Sequence, residues 1–240
     1  MTGSEVMEET ASEVNPRNEY SASQIKKWVY GEEEAPGKIV FLTFDDGPSL
    51  NNTPKVLDIL KENGINATFF YYTRYSLEDE KEVVKRTINE GNSIGLHSNC
   101  HDYDLLYPDG SADIPFILED LKNSIEIIRD IVPGFDTSVM RFPGGSKSWD
   151  NMDEAKRAVK EWGAESIDWT TMTGDAGSGN DDRSPEGLVG MMEHIMSYFP
   201  ERKVEVVLMH DPSWNECTVD GLHEVIDYFR DRGYEFGIIR

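Results

Sequence analysis

From Lys38 to Ile239, short apolar runs alternate with segments whose apolar residues recur every three or four positions, and no other feature restricts the fold as tightly. The strand candidates are Lys38–Phe44, Ala67–Tyr72, Ser93–His97, Ser138–Phe142, Ser166–Thr170, Val204–His210 and Glu235–Ile239. Several are short and rich in Val, Ile, Phe or Thr, as strands buried on both faces should be. Between them, Pro54–Glu62, Glu80–Glu90, Phe116–Ile131, Met152–Trp162, Leu188–Phe199 and Leu222–Phe229 carry helical spacing, with Gly64, Gly91 and Gly233 as stops. Strand–helix alternation of this kind predicts parallel strands joined by crossover helices. The expected architecture is α/β: an incomplete (β/α) barrel of about seven parallel strands in a single domain.

A chain of 240 residues suits one such domain. Its hydrophobic share of 38%, with 10% aromatic, supplies a core and argues against disorder. A formal net charge of −23 lacks the basic footprint that nucleic acid requires, and reads as a solvated acidic surface. Apolar runs stay short of the ~18 residues that would span a membrane. Residues 1–22 are polar and acid-rich and are expected to form a tail or linker ahead of a domain at 23–240. They show neither the basic nor the apolar region of a signal peptide, so either the chain is cytoplasmic or an export segment lies outside this sequence. Two cysteines, Cys100 and Cys217, make no disulfide framework. Cys100 lies between two histidines, where a ligand role competes with burial as a small hydrophobe.

Polar residues fall where the predicted strands end. Asp45 and Asp46 follow Phe44, His97 closes a strand with His101 just beyond it, and Arg141, Asp168 and His210 end three others. In a parallel barrel every C-terminal strand end faces one rim, where active sites are built. Residues scattered over most of the chain would therefore converge there.

The chemistry of each motif follows from its residue types. His97-Ser98-Asn99-Cys100-His101 spaces two imidazoles four apart, so a helical turn would let them share a metal. Alone the pair is a weak signal, and Asp45 or Asp46 is needed as a third ligand. Adjacent carboxylates after a buried strand are costly unless something positive compensates them. A metal held by one, with the other free as a base, resolves that cost; a solvated Asp-Gly-Pro turn is the bland alternative. Arg141, in Arg141-Phe142-Pro143-Gly144-Gly145, wants a carboxylate partner, and the Gly144 N–H could meet a developing oxyanion. His210, in Leu208-Met209-His210-Asp211, could protonate a leaving amine, with Asp168 orienting it and Trp169 walling the pocket.

Taken in order, TFDDGPS, HSNCH, RFPGG, DW and LMHD resemble the motifs of the polysaccharide deacetylase family, the NodB homology domain of carbohydrate esterase family 4. The resemblance spans roughly Ile39 to Ile239 and is closest to bacterial peptidoglycan N-acetylglucosamine deacetylases. It implies Asp45 as catalytic base and Asp46, His97 and His101 as ligands of a divalent metal, zinc first, with cobalt or nickel able to substitute. It further implies Arg141 as the residue that positions the base, His210 as catalytic acid, Asp168 as its partner, and Leu208 in an acetyl-methyl pocket. Gly144 stands where the family often has an aromatic residue, so a stacking platform is expected to be missing there. The implied substrate is a polysaccharide, peptidoglycan or a chitin-like oligomer, which would place the protein outside the cell or at its envelope. Competing readings are a chitooligosaccharide deacetylase, an acetylxylan esterase and a non-catalytic carbohydrate-binding relative. The last should lack a metal histidine, the base or the acid, and here all are present.

Overall fold

A computed structural model describes residues 18–177 and 182–240. Its centre is β2 (Ile39–Asp45), seven residues that are all buried. One edge of β2 pairs in parallel with β8 (Val204–His210) along its whole length, from Ile39 opposite Val204 to Asp45 opposite His210. Its other edge is shared by β9 (Glu235–Ile239) at the start and β3 (Thr68–Tyr71) at the end. Beyond β3 the sheet continues through β4 (Ser93–Leu96), β5 (Val139–Met140) and β6 (Glu165–Ser166), every pair parallel. The sheet curls into an incomplete, distorted (β/α) barrel of one domain.

Helices cover the outer face because their apolar stripes need a partner. On α5 (Ile114–Ile131) the stripe is Ile117, Leu121, Ile125 and Ile128, and the Asp113 carboxylate caps its first turn by accepting from the Phe116 N–H at 3.1 Å. The others are α2 (Thr53–Glu62), α3 (Lys81–Asn89), α6 (Met152–Trp162), α7 (Pro185–Met196) and α8 (Glu216–Asp231). Gly163, in the left-handed region, ends α6.

Three features depart from the sequence reading. The segment Ser166–Thr170 is not one strand: β6 ends at Ser166 and a separate β7 (Thr171–Met172) pairs with β8. Between them the chain crosses the open seam of the barrel, with the Ile167 N–H donating to the Met140 carbonyl and the Thr170 N–H to that of Val206. The expected tail of residues 1–22 is shortened at its inner end. Glu19–Tyr20 forms β1 on β9, Tyr20 packs edge-on to Trp28 and Phe41, and α1 (Ala22–Val29) begins at Ala22. Ala22 and Ile25 are buried there because α1 shields the seam, packing on β6 and β8; residues 1–17 lie outside the described residues. A cavity of about 940 Å³ remains along the seam, walled by Trp28, Ile167, Trp169 and Val206. The third departure is α4 (Tyr103–Leu106), one turn following His101.

Gly95 connects this framework to the rim. A Cβ there would lie 2.6 Å from the Phe70 ring. That ring in turn carries the Arg141 guanidinium 4.1 Å from its centroid. Gly95→Ala is expected to destabilise the fold by about 1–3 kcal/mol through overpacking, read as a lower urea midpoint; an unchanged midpoint would show that Phe70 has room to move.

Candidate active site and metal centre

At the C-terminal end of β2 the chain turns sharply, Asp46 taking a positive φ of 67°. Arg74 secures the turn, its guanidinium donating to the Asp46 carbonyl at 2.9 Å and the Pro48 carbonyl at 3.0 Å. The two carboxylates thereby point to different partners. Asp45 Oδ1 accepts from Arg141 Nη1 at 2.7 Å, both side chains being almost wholly buried. Asp46 Oδ1 instead faces His97 Nε2 at 3.4 Å and His101 Nε2 at 3.2 Å.

Asp46, His97 and His101 form a cluster suited to a divalent ion. One ligand atom from each lies within 4.8 Å of the other two. Asp46 Oδ1 is buried without a hydrogen-bond partner among the described residues, an arrangement that is costly unless a cation completes it. His97 Nδ1 lies 2.9 Å from the Arg141 carbonyl. A carbonyl only accepts, so the ring proton is on Nδ1 and the Nε2 lone pair faces the cluster, as metal-ligating histidines require. Two nitrogens and one carboxylate oxygen, open to one side, are a donor set for a catalytic zinc-type ion.

His97 and His101 do not sit on a helical turn. Residues 97–101 form a loop with positive φ at Ser98 (96°) and His101 (46°). Asp120 on α5 holds that loop, accepting from Ser98 Oγ at 2.7 Å, the Asn99 N–H at 2.8 Å and the Cys100 N–H at 2.9 Å. A carboxylate on the apolar stripe of α5, between Ile117 and Leu121, was the available sequence signal for it. Cys100 is buried with its Sγ 3.8 Å from Ser98 Oγ, and the histidine–aspartate cluster does not include it.

His210 lies beside Asp45 because the β2–β8 register pairs them. Its carboxylate partner is Asp175, not Asp168. His210 Nδ1 and Asp175 Oδ1 are 3.0 Å apart. Asp175 Oδ2 accepts from the His210 N–H at 2.6 Å, Thr218 Oγ1 at 2.6 Å and Asn215 Nδ2 at 2.9 Å. Burial opposes charge on His210, but the hydrogen bond and charge of Asp175, with Asp45 and Asp46 beyond, raise its pKa to about 9. Asp168 accepts instead from the Ser146 N–H at 3.0 Å and from the Ser146 hydroxyl, tying the loop after Arg141 to the strand-crossing segment. The strand-end rule fails at Asp168 because β7 follows it: Asp175 sits three residues after β7, at the end that matters.

The remaining predicted residues surround this group. Gly145 donates its N–H to the Phe142 carbonyl at 2.8 Å, which leaves the Gly144 N–H as the loop's candidate oxyanion donor. Trp169 lies against Gly145 and 5.8 Å from the Arg141 guanidinium, and Leu208 is buried on β8 opposite Thr43. Behind the turn, burial pushes the Asp211 carboxyl up to about 7, with Asp46 and Asp45 adding to the rise against a hydrogen bond from Thr53.

A family model described as polysaccharide deacetylase matches residues 32–167. A CE4 esterase of Streptococcus mutans superposes with a TM-score of 0.86 at 32% identity, covering 93% of this chain and 92% of that one. The catalytic domain of a peptidoglycan N-acetylglucosamine deacetylase from Eubacterium rectale gives a TM-score of 0.73 at 28% identity, covering 87% and 91%. A peptidoglycan-N-acetylglucosamine deacetylase of Bacillus cereus is 28% identical over 224 residues, 89% of this chain and 72% of that protein.

Two outcomes follow from the supporting carboxylates. Asp120→Ala is expected to weaken zinc binding about 10–100-fold in a competition titration against a chelating dye; wild-type affinity would show that the loop holds itself. Asp175→Asn removes the charge that keeps His210 protonated. Since the acid form is present below its pKa, the basic limb of the pH–rate profile should move to lower pH in the variant, and an unmoved limb would assign it to another group.

Proposed function

This chain belongs to the polysaccharide deacetylase family, a hydrolase acting on polysaccharide N-acetyl groups, and we propose that it deacetylates N-acetylglucosamine residues of peptidoglycan in a metal-dependent reaction at the cell envelope. The observation that carries this reading is the meeting at one rim of a carboxylate fixed by Arg141, an Asp–His–His cluster and a histidine held ready to donate a proton by its carboxylate partner. Peptidoglycan is favoured as substrate because two of the relatives are named for that activity.

A divalent ion held by Asp46, His97 and His101, zinc first and cobalt or nickel as substitutes, would supply Lewis-acid activation of the acetamide carbonyl and of water. The residues perform the rest. Asp45, anchored through Oδ1, takes a proton from the attacking water with its other oxygen. The water oxygen bonds to the carbonyl carbon, and the Gly144 N–H is placed to stabilise the charge that develops on the carbonyl oxygen. His210, charged at neutral pH, then donates its proton to the amide nitrogen as the C–N bond breaks. The products are acetate and a free amino sugar. Asp175 holds the His210 ring and restores its charge preference, Leu208 lines the space for the acetyl methyl, and Trp169 excludes water on the Arg141 side.

The test is acetate release from peptidoglycan and from N-acetylglucosamine oligomers, with zinc added and with chelator. Metal-dependent release is expected, faster from peptidoglycan; faster release from the oligomers would move the substrate to chitin-like chains. Asp45→Asn should keep its zinc and lose about 10²–10⁴-fold in turnover. Near-normal turnover in that variant would remove Asp45 from the role of base.

A further inference from the structure

Beside the ligand histidines stands a row of aromatic rings that no catalytic step uses. Tyr103, the first residue of α4, lies 5.5 Å from the His101 ring and 5.0 Å from that of Trp149. Trp149 stacks flat on Tyr107, with centroids 4.2 Å apart and planes 9° from parallel. Its indole Nε1 donates to the Pro143 carbonyl at 3.0 Å, and its edge packs on Gly144, where a Cβ would come within 3.2 Å of the indole. Asp102 secures Tyr103 by accepting from the Asp104 N–H at 2.9 Å and the Leu105 N–H at 3.3 Å.

The row is rigid below and open above. Tyr107 is 2% exposed, and its buried hydroxyl has no hydrogen-bond partner among the described residues. Tyr103 is 44% exposed. A fixed aromatic face left in water beside a catalytic cluster loses little entropy when a ligand covers it, and such exposed apolar faces mark binding grooves. A pyranose ring offers the matching surface, a flat face of C–H groups with hydroxyls around its edge. The expectation of a missing platform at Gly144 is met from elsewhere: Gly144 leaves the space that the Trp149 indole fills.

We propose that Tyr103 and Trp149, backed by Tyr107, form a stacking subsite for the sugar that neighbours the one being deacetylated, so that this protein selects oligomers over single N-acetylated sugars. This rests on the deacetylase reading above and adds to it the residues that set chain-length preference. Tyr103 and Trp149 act by positioning substrate and touch no reacting atom.

The experiment titrates the full, zinc-loaded chain with N-acetylglucosamine and with its tetramer, following tryptophan fluorescence and, separately, KM and kcat for acetate release. The tetramer should bind well ahead of the monomer and change the fluorescence, and Trp149→Phe should remove most of that change. Tyr103→Ala is expected to raise the tetramer Kd and KM about tenfold with kcat less affected, and Tyr103→Phe to restore both. Equal tetramer affinity in Tyr103→Ala and the wild type would overturn the subsite. So would a parallel loss of monomer and tetramer binding, or the absence of any fluorescence change with tetramer. Tetramer binding that depends on Tyr103 without acetate release would instead count against the deacetylase reading and leave the subsite standing.

Discussion

Arg141 places its guanidinium, with no solvent exposure, beside an inner cluster rich in Phe, Ile and Val, and meets Asp45 there at 2.7 Å. Two ions withdrawn from water are tolerated only at close range with their other hydrogen-bonding groups occupied. Arg141 Nη1 also donates to Thr43 Oγ1 at 2.7 Å and Nε to the Ile167 carbonyl at 2.9 Å, while Nη2 has no partner among the described residues and the guanidinium lies over the Phe70 ring. Those partners come from β2, from β3 and from the segment that crosses the seam, so one side chain ties the paired strands β2 and β3 to a segment that pairs with neither. Breaking a buried pair of this kind costs about 3–5 kcal/mol, because the remaining charge stays buried. Fold and site therefore share one interaction. With Oδ1 committed to Arg141, the second oxygen of Asp45 is left 3.7 Å from His97 Nε2, facing the Asp46–His97–His101 cluster.

Around that pair, buried carboxylates do three different jobs. Asp120 forms no ion pair among the described residues; it accepts three hydrogen bonds and holds a loop with two positive φ angles in place. Asp175 accepts from His210, Asn215 and Thr218 and keeps an imidazole charged against its own burial. Asp211, whose Oδ1 has no partner among the described residues, shifts toward its neutral form. For Asp175 and Asp211 the direction depends on what surrounds the carboxylate, a cation or other carboxylates. An acidic composition thus says little about the charge state of this rim.

Much of the fold was legible because buried parallel strands and amphipathic helices write their periods into the chain. Met152–Trp162 is a helix with the expected limits, and β8 and β9 span the expected residues. Failures cluster where a short segment takes its structure from distant partners. Ser166–Thr170 has strand composition, yet it divides because its two ends pair with different neighbours across the seam. Glu19 and Tyr20 belong to a polar stretch and become sheet only because β9 offers an edge. The histidine pair reads as a helical turn until Asp120, some twenty positions on, is seen to fold it as a loop.

What the sequence by itself determined was the α/β barrel and that Asp45, Asp46, His97, His101, Arg141 and His210 are carried to its rim, since both follow from local periodicity and from polar residues placed at strand ends. Which carboxylate each of those residues meets was decided only by the tertiary structure. Asp168 and Asp175 are seven positions apart and chemically identical, and nothing local distinguishes them as partners for His210. The separation arises because β7 pairs with β8 and carries Asp175 to the histidine, while Asp168 stays across the seam with Ser146. The aromatic row at Trp149 has the same origin: Tyr103, Tyr107 and Trp149 come together through packing over a glycine, a contact no spacing in the chain records.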